Sequence, residues 1–250
     1  MMTRLQRTTK TEAAEWAIRC DLAATFRLCA REKWNEATGN HNSGMIPGTE
    51  HMLINPRGML FSELRASDLI VCDLHSNVIS GKGELRKVAH HIHARIHLMH
   101  PQAQIVLHVH PPYTTALSLI EGGRLELAHF NDLTLNDRIA YDDAMNGTVL
   151  DDDEGDRIAR LLGAKTSLVM RSHGLTTVGP TAADAYCELA AIERSAMWQN
   201  LAACHGRPLR RLPDNQRKRH DGAFGDVWDA ALEFAAYKRT LDREEPDYAT

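Results

Sequence analysis

The stretch IVLHVHPP, residues 105–112, limits the possible folds more than any other part of the sequence. Its residues are apolar except for His108 and His110, and two prolines end it, which is typical of a buried strand. Side chains alternate between the faces of a strand, so both imidazoles point to one side. Two histidines on one face of an apolar strand need either hydrogen-bond partners or a shared metal ion.

Helix-like and strand-like segments are interleaved along the 250 residues. Helical spacing of apolar residues predicts helices over residues 11–35, 84–100 and 181–206, the last with Thr181 as its N-cap. Segments rich in branched residues predict strands over residues 67–74, 103–110 and 166–174. This order lacks the strict strand–helix alternation of a doubly wound sheet. It therefore favours one α/β domain with a mixed sheet covered by helices.

Charge and cysteine usage exclude several classes of protein. The formal net charge of −4 offers no general attraction for nucleic acid or an anionic membrane. No run approaches the roughly 18 apolar residues of a membrane span, and the polar N-terminus does not resemble a secretory signal. The cysteines form no CxxC pair, which favours a reduced, cytoplasmic protein: Cys20, Cys29, Cys72, Cys187 and Cys204.

A third histidine, His173, ends the predicted strand SLVMRSHG and stands directly before Gly174, where the chain must turn. The spacing of His108 and His110 alone is equally consistent with two hydrogen-bonded histidines. Three imidazoles, however, form a metal site that leaves a position open for substrate or water. We therefore expect His108, His110 and His173 to bind one metal ion.

The segments LINPRGMLFSELRASDLIVCDL, HPQAQIVLHVHPP and SLVMRSHGLTTVGPTAADAYCELAAIE resemble, in order and spacing, the class II aldolase/adducin family. The resemblance covers roughly residues 20–205 and implies a single three-layer α/β/α domain with a mixed, largely antiparallel sheet. We expect this domain to span residues 1–206. Residues 207–250 would form a C-terminal extension whose helix packs on the same domain or on a neighbouring subunit.

The resemblance also implies a cofactor and an assembly. In the sugar-phosphate aldolases of the family, two histidines of an HxH strand and one of an HG turn bind a divalent ion, and these match His108, His110 and His173. Zinc is the first expectation, and manganese, cobalt and iron are the alternatives. A homotetramer with active sites between subunits is implied as well.

Other family features are altered in this sequence. The aldolases carry a metal-binding, proton-transferring glutamate nineteen residues before the first HxH histidine, where this chain has Ala89. His93 matches a histidine often found four residues later and is the predicted catalytic proton carrier. His90, His97 and His100 are expected on an exposed polar face of the helix. Tyr113, Tyr141 and Tyr237 remain candidates for the tyrosine that the aldolases bring from a neighbouring subunit.

The expected substrate-binding residues are Asn40, Arg57 and Gly58. Gly39 and Asn40 match the Gly-Asn loop that holds phosphate in the aldolases, but the next element reads Asn55-Pro56-Arg57-Gly58, and no serine pair precedes the helix. A guanidinium suits a carboxylate held by two hydrogen bonds at least as well as a phosphate. Arg57 is equally consistent with a surface position in a turn.

Together these features predict a metal-dependent carbon–carbon lyase, of aldolase or decarboxylase type, acting on a small hydroxy- or keto-acid. A bound cation can stabilise the enolate that both reactions form, and decarboxylation does not need the missing carboxylate as a base. Two alternatives stay open. One is a non-haem iron oxygenase on the same scaffold, and the other is an assembly domain like the adducins, which have lost the metal ligands.

Overall fold

A computed structural model describes residues 4–135, 137–144, 146–213 and 229–250. Its longer helices are α1 (Arg4–Arg31), α2 (Lys87–Met99), α3 (Pro112–Ser118), α4 (Asp152–Leu162), α5 (Ala182–Ala203) and α6 (Ala230–Glu244). Its strands are β1 (His41–Met45), β2 (His51–Ile54), β3 (Ile70–Asp73), β4 (Val78–Ser80), β5 (Ile105–Val109), β6 (Ile139–Asp142), β7 (Ser167–Met170) and β8 (Leu175–Gly179).

All eight strands belong to one sheet with the order β4-β3-β2-β1-β5-β8-β7-β6. Neighbouring strands run antiparallel except for the parallel pair of β6 and β7. Strand β5 lies in the middle of the sheet, where His108 is level with His41 of β1 and with Thr176 of β8. The mixed, largely antiparallel sheet expected from the sequence is therefore confirmed.

Helices cover both faces of the sheet. Val106 of β5 packs with Ile92 and Ile96 of α2 and with the apolar face of α4. Its neighbour Leu107 points the other way and packs in the larger core with residues of α1 and α5, such as Phe26 and Tyr186. This alternation along β5 produces the predicted three layers, and it turns the side chain of His108 toward α2.

The C-terminal helix α6 packs against α1 and α5 of the same chain. Phe234 and Leu241 are buried in the larger core. The guanidinium of Arg27, also buried, pairs with Glu245 and Asp247 just beyond α6. This placement is one of the two packings expected for the extension. The proposed domain boundary at residue 206 stays a prediction, and residues 214–228 of the extension lie outside the described residues.

Two histidines of helix α2 are less exposed than the sequence led us to expect. His90 and His97 are only 1% and 6% exposed, so their assignment to an exposed polar face was wrong. The helix packs between the sheet and α4. Ser76 forms a hydrogen bond with the imidazole of His90, and Ser43 forms one with that of His97. None of the described helices is sufficiently long and apolar to cross a bilayer.

Candidate metal centre

Three imidazoles meet at one end of the sheet. His108 is the penultimate residue of β5, and His110 directly follows the strand. His173 lies in the tight connection between β7 and β8. Because β5 pairs with β8, with Val109 level with Leu175, this connection comes beside the end of β5. One ring nitrogen from each histidine lies within 4.8 Å of those of the other two. The structure thus brings together the three histidines singled out from the sequence.

The second ring nitrogen of two of these histidines is held by a protein group. Thr176 Oγ1 lies 3.0 Å from His108 Nδ1, and the carboxylate of Glu36 lies 2.7 Å from His110 Nδ1. A carboxylate can only accept a hydrogen bond, so His110 carries a proton on Nδ1 and its Nε2 is left for another partner. Outer partners of this kind orient the histidine ligands of metal sites.

His110 Nε2 is buried and has no hydrogen-bond partner among the described residues. Buried polar atoms are nearly always satisfied, so this nitrogen calls for a ligand that the protein does not provide. Burial also lowers the pKa of His108 well below its usual range, and burial together with His110 lowers the pKa of His173 to about 4. Neutral imidazoles keep the lone pairs that a cation needs, so these residues fit a divalent metal ion.

Gly174 explains why a glycine follows His173. A Cβ built on this residue would lie 2.5 Å from both His110 Cδ2 and the carbonyl oxygen of Val109. Both distances are far below van der Waals contact. Only glycine lets the β7–β8 connection approach the end of β5 closely enough to place His173 beside His110.

We expect Gly174→Ala to weaken metal binding at least about 10-fold, because its methyl group displaces the ring of His110 or the backbone of β5. Titration of the metal-free protein with zinc against a chelating dye measures the change. Gly206→Ala is the control for backbone strain without a clash, since Gly206 has a φ of +65° and a Cβ there meets no atom within 4 Å. Equal zinc affinity in Gly174→Ala and the unsubstituted protein would contradict the packing argument.

The three histidines open into a cavity of about 410 Å³, a volume suited to a small-molecule ligand. Its wall also includes Glu36, His41 and Arg86. Helix α2 contributes only apolar side chains, such as Ile92, to this wall. Ala89, at the position of the family glutamate, is instead buried among apolar residues under β2 and β3. No carboxylate of α2 therefore reaches the described cavity.

Arg86 is the cation at the cavity that has no carboxylate partner among the described residues. It is the N-cap residue of α2, and its guanidinium donates to the carbonyl oxygens of Thr38 and Gly39 at 3.2 and 2.9 Å. Arg157, by comparison, is neutralised by Asp142 and Glu154. A guanidinium bonded only to carbonyl groups keeps its positive charge available to an anionic ligand.

The predicted substrate-binding residues lie at different distances from this cavity. Asn40 is buried next to Gly39, its Oδ1 accepts from the backbone N–H of Glu36 at 2.5 Å, and its Nδ2 has no partner among the described residues. Arg57 and Gly58 do not line the cavity. Arg57 is exposed in its turn and pairs with the exposed Glu84 at 3.4 Å. The candidates Tyr113, Tyr141 and Tyr237 also lie outside the cavity wall.

His93, the predicted proton carrier, is fully buried and reaches the cavity only through another residue. Its Nε2 lies 2.8 Å from His41 Nδ1, and its Nδ1 lies 2.5 Å from Ser43 Oγ. Both ring nitrogens are thus occupied by protein groups. Of these two histidines, His41 is the one that lines the cavity, and its ring stacks on that of His108 with centroids 4.9 Å apart.

Sequence reasoning did not identify Glu36, His41 or Arg86. Glu36 and His41 lie far from His110 along the chain, and only the pairing of β1 with β5 brings this region beside the metal-binding histidines. Arg86 did leave a signal. A cation at the N-terminus of a helix is unfavourable with respect to the helix dipole, so its presence there indicates another purpose.

Comparisons with known proteins agree with this architecture. The sequence profile described as Class II Aldolase and Adducin N-terminal domain matches residues 20–200. A Caulobacter vibrioides protein described as "Putative aldolase class 2 protein" is 36% identical over 96% of this chain and 95% of its own length. An adducin-related protein of Schizosaccharomyces pombe is 30% identical over 94% of this chain and 77% of its own.

Solved structures resemble the chain as a whole. An aldolase II superfamily protein from Pseudomonas syringae superposes with a TM-score of 0.87 at 30% identity, over 95% of this chain and 96% of its own. L-fuculose 1-phosphate aldolase from Glaciozyma antarctica superposes with a TM-score of 0.84 over 95% of this chain and 94% of its own. At 22% identity the second likeness concerns the fold alone.

Proposed function

Because the chain belongs to the class II aldolase and adducin family, we propose that it is a divalent-metal-dependent carbon–carbon lyase. Its substrate would be a small hydroxy- or keto-acid. Two observations carry the proposal: one ring nitrogen from each of His108, His110 and His173 lies within 4.8 Å of the other two, and the buried Nε2 of His110 has no partner among the described residues. Three imidazoles in a cavity are the donor set of a catalytic zinc site.

In this proposal His108, His110 and His173 hold the metal, with zinc as the first candidate and manganese, cobalt or iron as alternatives. When bound, such an ion would stabilise the negative charge that develops on a substrate oxygen as the carbon–carbon bond breaks. Glu36 and Thr176 keep the rings of His110 and His108 in place by their hydrogen bonds. Helix α2 contributes the apolar side chains of Val88 and Ile92 to the cavity wall.

Substrate recognition would depend on Arg86 and the loop before β1. The guanidinium of Arg86 faces the same cavity as the three histidines and is suited to an anionic carboxylate. Asn40 is not part of the cavity wall, but its Oδ1 accepts a hydrogen bond from the backbone of Glu36, which is. Arg57 and Gly58 remain sequence-based candidates for the same task.

The absence of a carboxylate on the α2 wall bears on the type of reaction. Aldol cleavage requires a base that removes the proton of a hydroxyl group, and the family glutamate that does so is replaced by Ala89. Loss of carbon dioxide needs no such base, only protonation of the resulting carbanion. The proposal therefore includes both cleavage of a hydroxy-acid and decarboxylation, and it excludes efficient turnover of fuculose or ribulose phosphates.

Metal analysis followed by a substrate screen tests the proposal. The purified protein is expected to contain one zinc or manganese ion per chain, and to release carbon dioxide or an aldehyde from a panel of small hydroxy- and keto-acids. Iron with oxygen consumption would support the oxygenase alternative instead. A metal-free protein with no turnover would leave an assembly role, which the adducin-related relatives make the second candidate.

Two arginine variants separate the candidate carboxylate-binding residues. Arg86→Gln is expected to weaken binding of a carboxylate ligand such as acetate about 10- to 100-fold, because a charge-assisted hydrogen bond is lost, while acetamide binding changes little. Arg57→Gln is the matched variant, since Arg57 pairs only with Glu84 on the surface. Calorimetric titration of the zinc-loaded proteins measures both. A larger loss in Arg57→Gln would instead favour the residue chosen from the sequence.

The proposal also includes a cytoplasmic homotetramer with active sites at subunit interfaces. Leu119 and Ile120, 65% and 57% exposed, follow α3 beside the β7–β8 connection that carries His173. Large apolar side chains exposed next to a candidate site are suited to burial by a second subunit. Light scattering should give about four times the 28.0 kDa of one chain.

A further inference from the structure

Four buried side chains form a continuous hydrogen-bonded chain behind the cavity. His41 and Ser43 are two residues apart on β1 and share a face of the strand, whereas His93 and His97 are four apart on α2. The polar atoms lie 2.8 Å apart between His41 Nδ1 and His93 Nε2, and 2.8 Å apart between Ser43 Oγ and His97 Nε2. All four residues are at most 6% exposed. We call this group the histidine relay.

The direction of every hydrogen bond in the histidine relay follows from His97, which stands at the opposite end from His41. His97 Nδ1 lies 2.6 Å from the carbonyl oxygen of Ala103, which can only accept, so the proton of His97 is on Nδ1. Burial lowers the pKa of His97 to about 4, so its Nε2 is unprotonated at neutral pH. That nitrogen must accept the hydroxyl hydrogen of Ser43.

Ser43 has one hydroxyl hydrogen, and His97 receives it. The oxygen of Ser43 therefore accepts the proton of His93 Nδ1, which leaves His93 Nε2 as an acceptor. His41 must then donate from Nδ1 to His93 Nε2. The chain of donors ends at His41, whose Nε2 carries a lone pair. The hydrogen bond to His93 occupies the other ring nitrogen of His41, and His41 lines the cavity.

We propose that the histidine relay makes His41 a hydrogen-bond acceptor for a substrate hydroxyl group, so that the site selects hydroxy-acids over the corresponding acids that lack the hydroxyl. This inference rests on the proposed function for the nature of the ligand. His41 is a substrate-binding residue, while Ser43, His93 and His97 are positioning residues that act through it. A neutral imidazole is either a donor or an acceptor at Nε2, and the relay decides which.

Arg86 supplies the complementary contact. Arg86 and His41 both line the same cavity. A hydroxy-acid offers a carboxylate to the guanidinium and a hydroxyl hydrogen to His41 Nε2. A keto-acid has no hydrogen to donate at the corresponding oxygen and places a lone pair against that of His41.

The tautomers are measured directly on the full-length protein. With ¹⁵N-labelled histidine, magnetic resonance distinguishes protonated from unprotonated ring nitrogens, and we expect protons on Nδ1 of His41, His93 and His97. We expect the same tautomers in the zinc-loaded and the zinc-free protein. A proton on Nε2 of His41 in the unsubstituted protein would overturn the inference even if zinc binds stoichiometrically, whereas the expected tautomers without zinc binding would overturn only the proposed function.

A pair of variants at His97 tests the coupling to His41. His97→Leu removes the acceptor, so Ser43 becomes free to donate to His93 Nδ1, and the chain can run in the opposite direction. The single tautomer of His41 should then be lost, although His41 does not touch residue 97. His97→Gln keeps an amide oxygen as acceptor for Ser43 and should preserve it. An unchanged tautomer in His97→Leu would contradict the proposed direction.

Ligand selectivity provides the second readout. Lactate should bind the zinc-loaded protein about five- to tenfold more tightly than propionate, which differs only in the hydroxyl group. This ratio should fall to about one in His97→Leu and persist in His97→Gln. Ser167→Ala is the control, because Ser167 is equally buried in the same sheet but donates to Glu188. A ratio of one in the unsubstituted protein would overturn the role given to His41.

Discussion

His108→Ala is expected to reduce bound metal from one ion per chain to a small fraction, with an affinity at least about 100-fold weaker. Loss of a residue that merely orients a ligand costs about 10- to 100-fold in metal affinity, so loss of one of three ligands costs more. His108 is buried in a central strand of the sheet, and its ring nitrogen is one of the three that lie within 4.8 Å of one another. Elemental analysis after dialysis against zinc measures the content.

His75→Ala is the control for this variant, because His75 is exposed and lies outside the cavity. Circular dichroism establishes that both variants keep their secondary structure, so that a lost metal is not confused with a lost fold. The fold is expected to survive, since the surrounding core of apolar residues on β5 and α2 is unchanged. One ion per chain in folded His108→Ala would refute the assignment of the three histidines.

The metal-free protein is expected to lose stability steeply as the pH falls from about 6.5 toward about 4. Burial lowers the pKa of His97 to about 4, and burial with nearby Arg86 lowers that of His41 to about 3. Their unfolded pKa is about 6.5, so the unfolded chain binds more protons between these values. The contribution of His41 and His97 to the free energy of unfolding is therefore fully present above about pH 6.5. Below that pH it declines by about 2 kcal/mol per pH unit for the two residues together.

Urea unfolding of the metal-free protein at about pH 7.5 and 5.5 measures this slope. Glu188 and Glu193 act in the opposite sense, because burial raises their pKa and folding then favours proton uptake. The comparison of unsubstituted protein with His97→Leu removes their effect. We expect the variant to have a shallower slope by about 1 kcal/mol per pH unit. Parallel slopes would mean that His97 is not held neutral by burial.

The sequence predicted the pair of histidines on β5 and much of the fold around it. Strand alternation alone places His108 and His110 on one side, and helical spacing places Ile92 and Ile96 on the apolar face of α2. The predicted strand SLVMRSHG added His173, which precedes a glycine that the structure requires for close approach to His110. These features depend on the local geometry of strands, helices and turns, which residue order determines directly.

Other parts of the site were beyond local reasoning. Arg57 and Arg86 both stand near turns, and the sequence alone makes them equally plausible as carboxylate-binding residues. Of the two, only Arg86 lines the cavity, because α2 begins there, whereas Arg57 is exposed to solvent. His93, the predicted proton carrier, does not line the cavity itself but forms a hydrogen bond with His41 of β1, which does. The carboxylate that orients His110, Glu36, is 74 residues away in the chain.

The amino-acid order by itself thus determined the elements, the side of β5 that carries imidazoles, and the family to which the chain belongs. Tertiary structure decided which polar groups share a hydrogen bond, which arginine keeps an available charge, and which histidines of α2 are buried. The reason is physical. Alternation and helical spacing arise from the backbone of neighbouring residues, whereas the environment of a side chain depends on segments that only packing brings together.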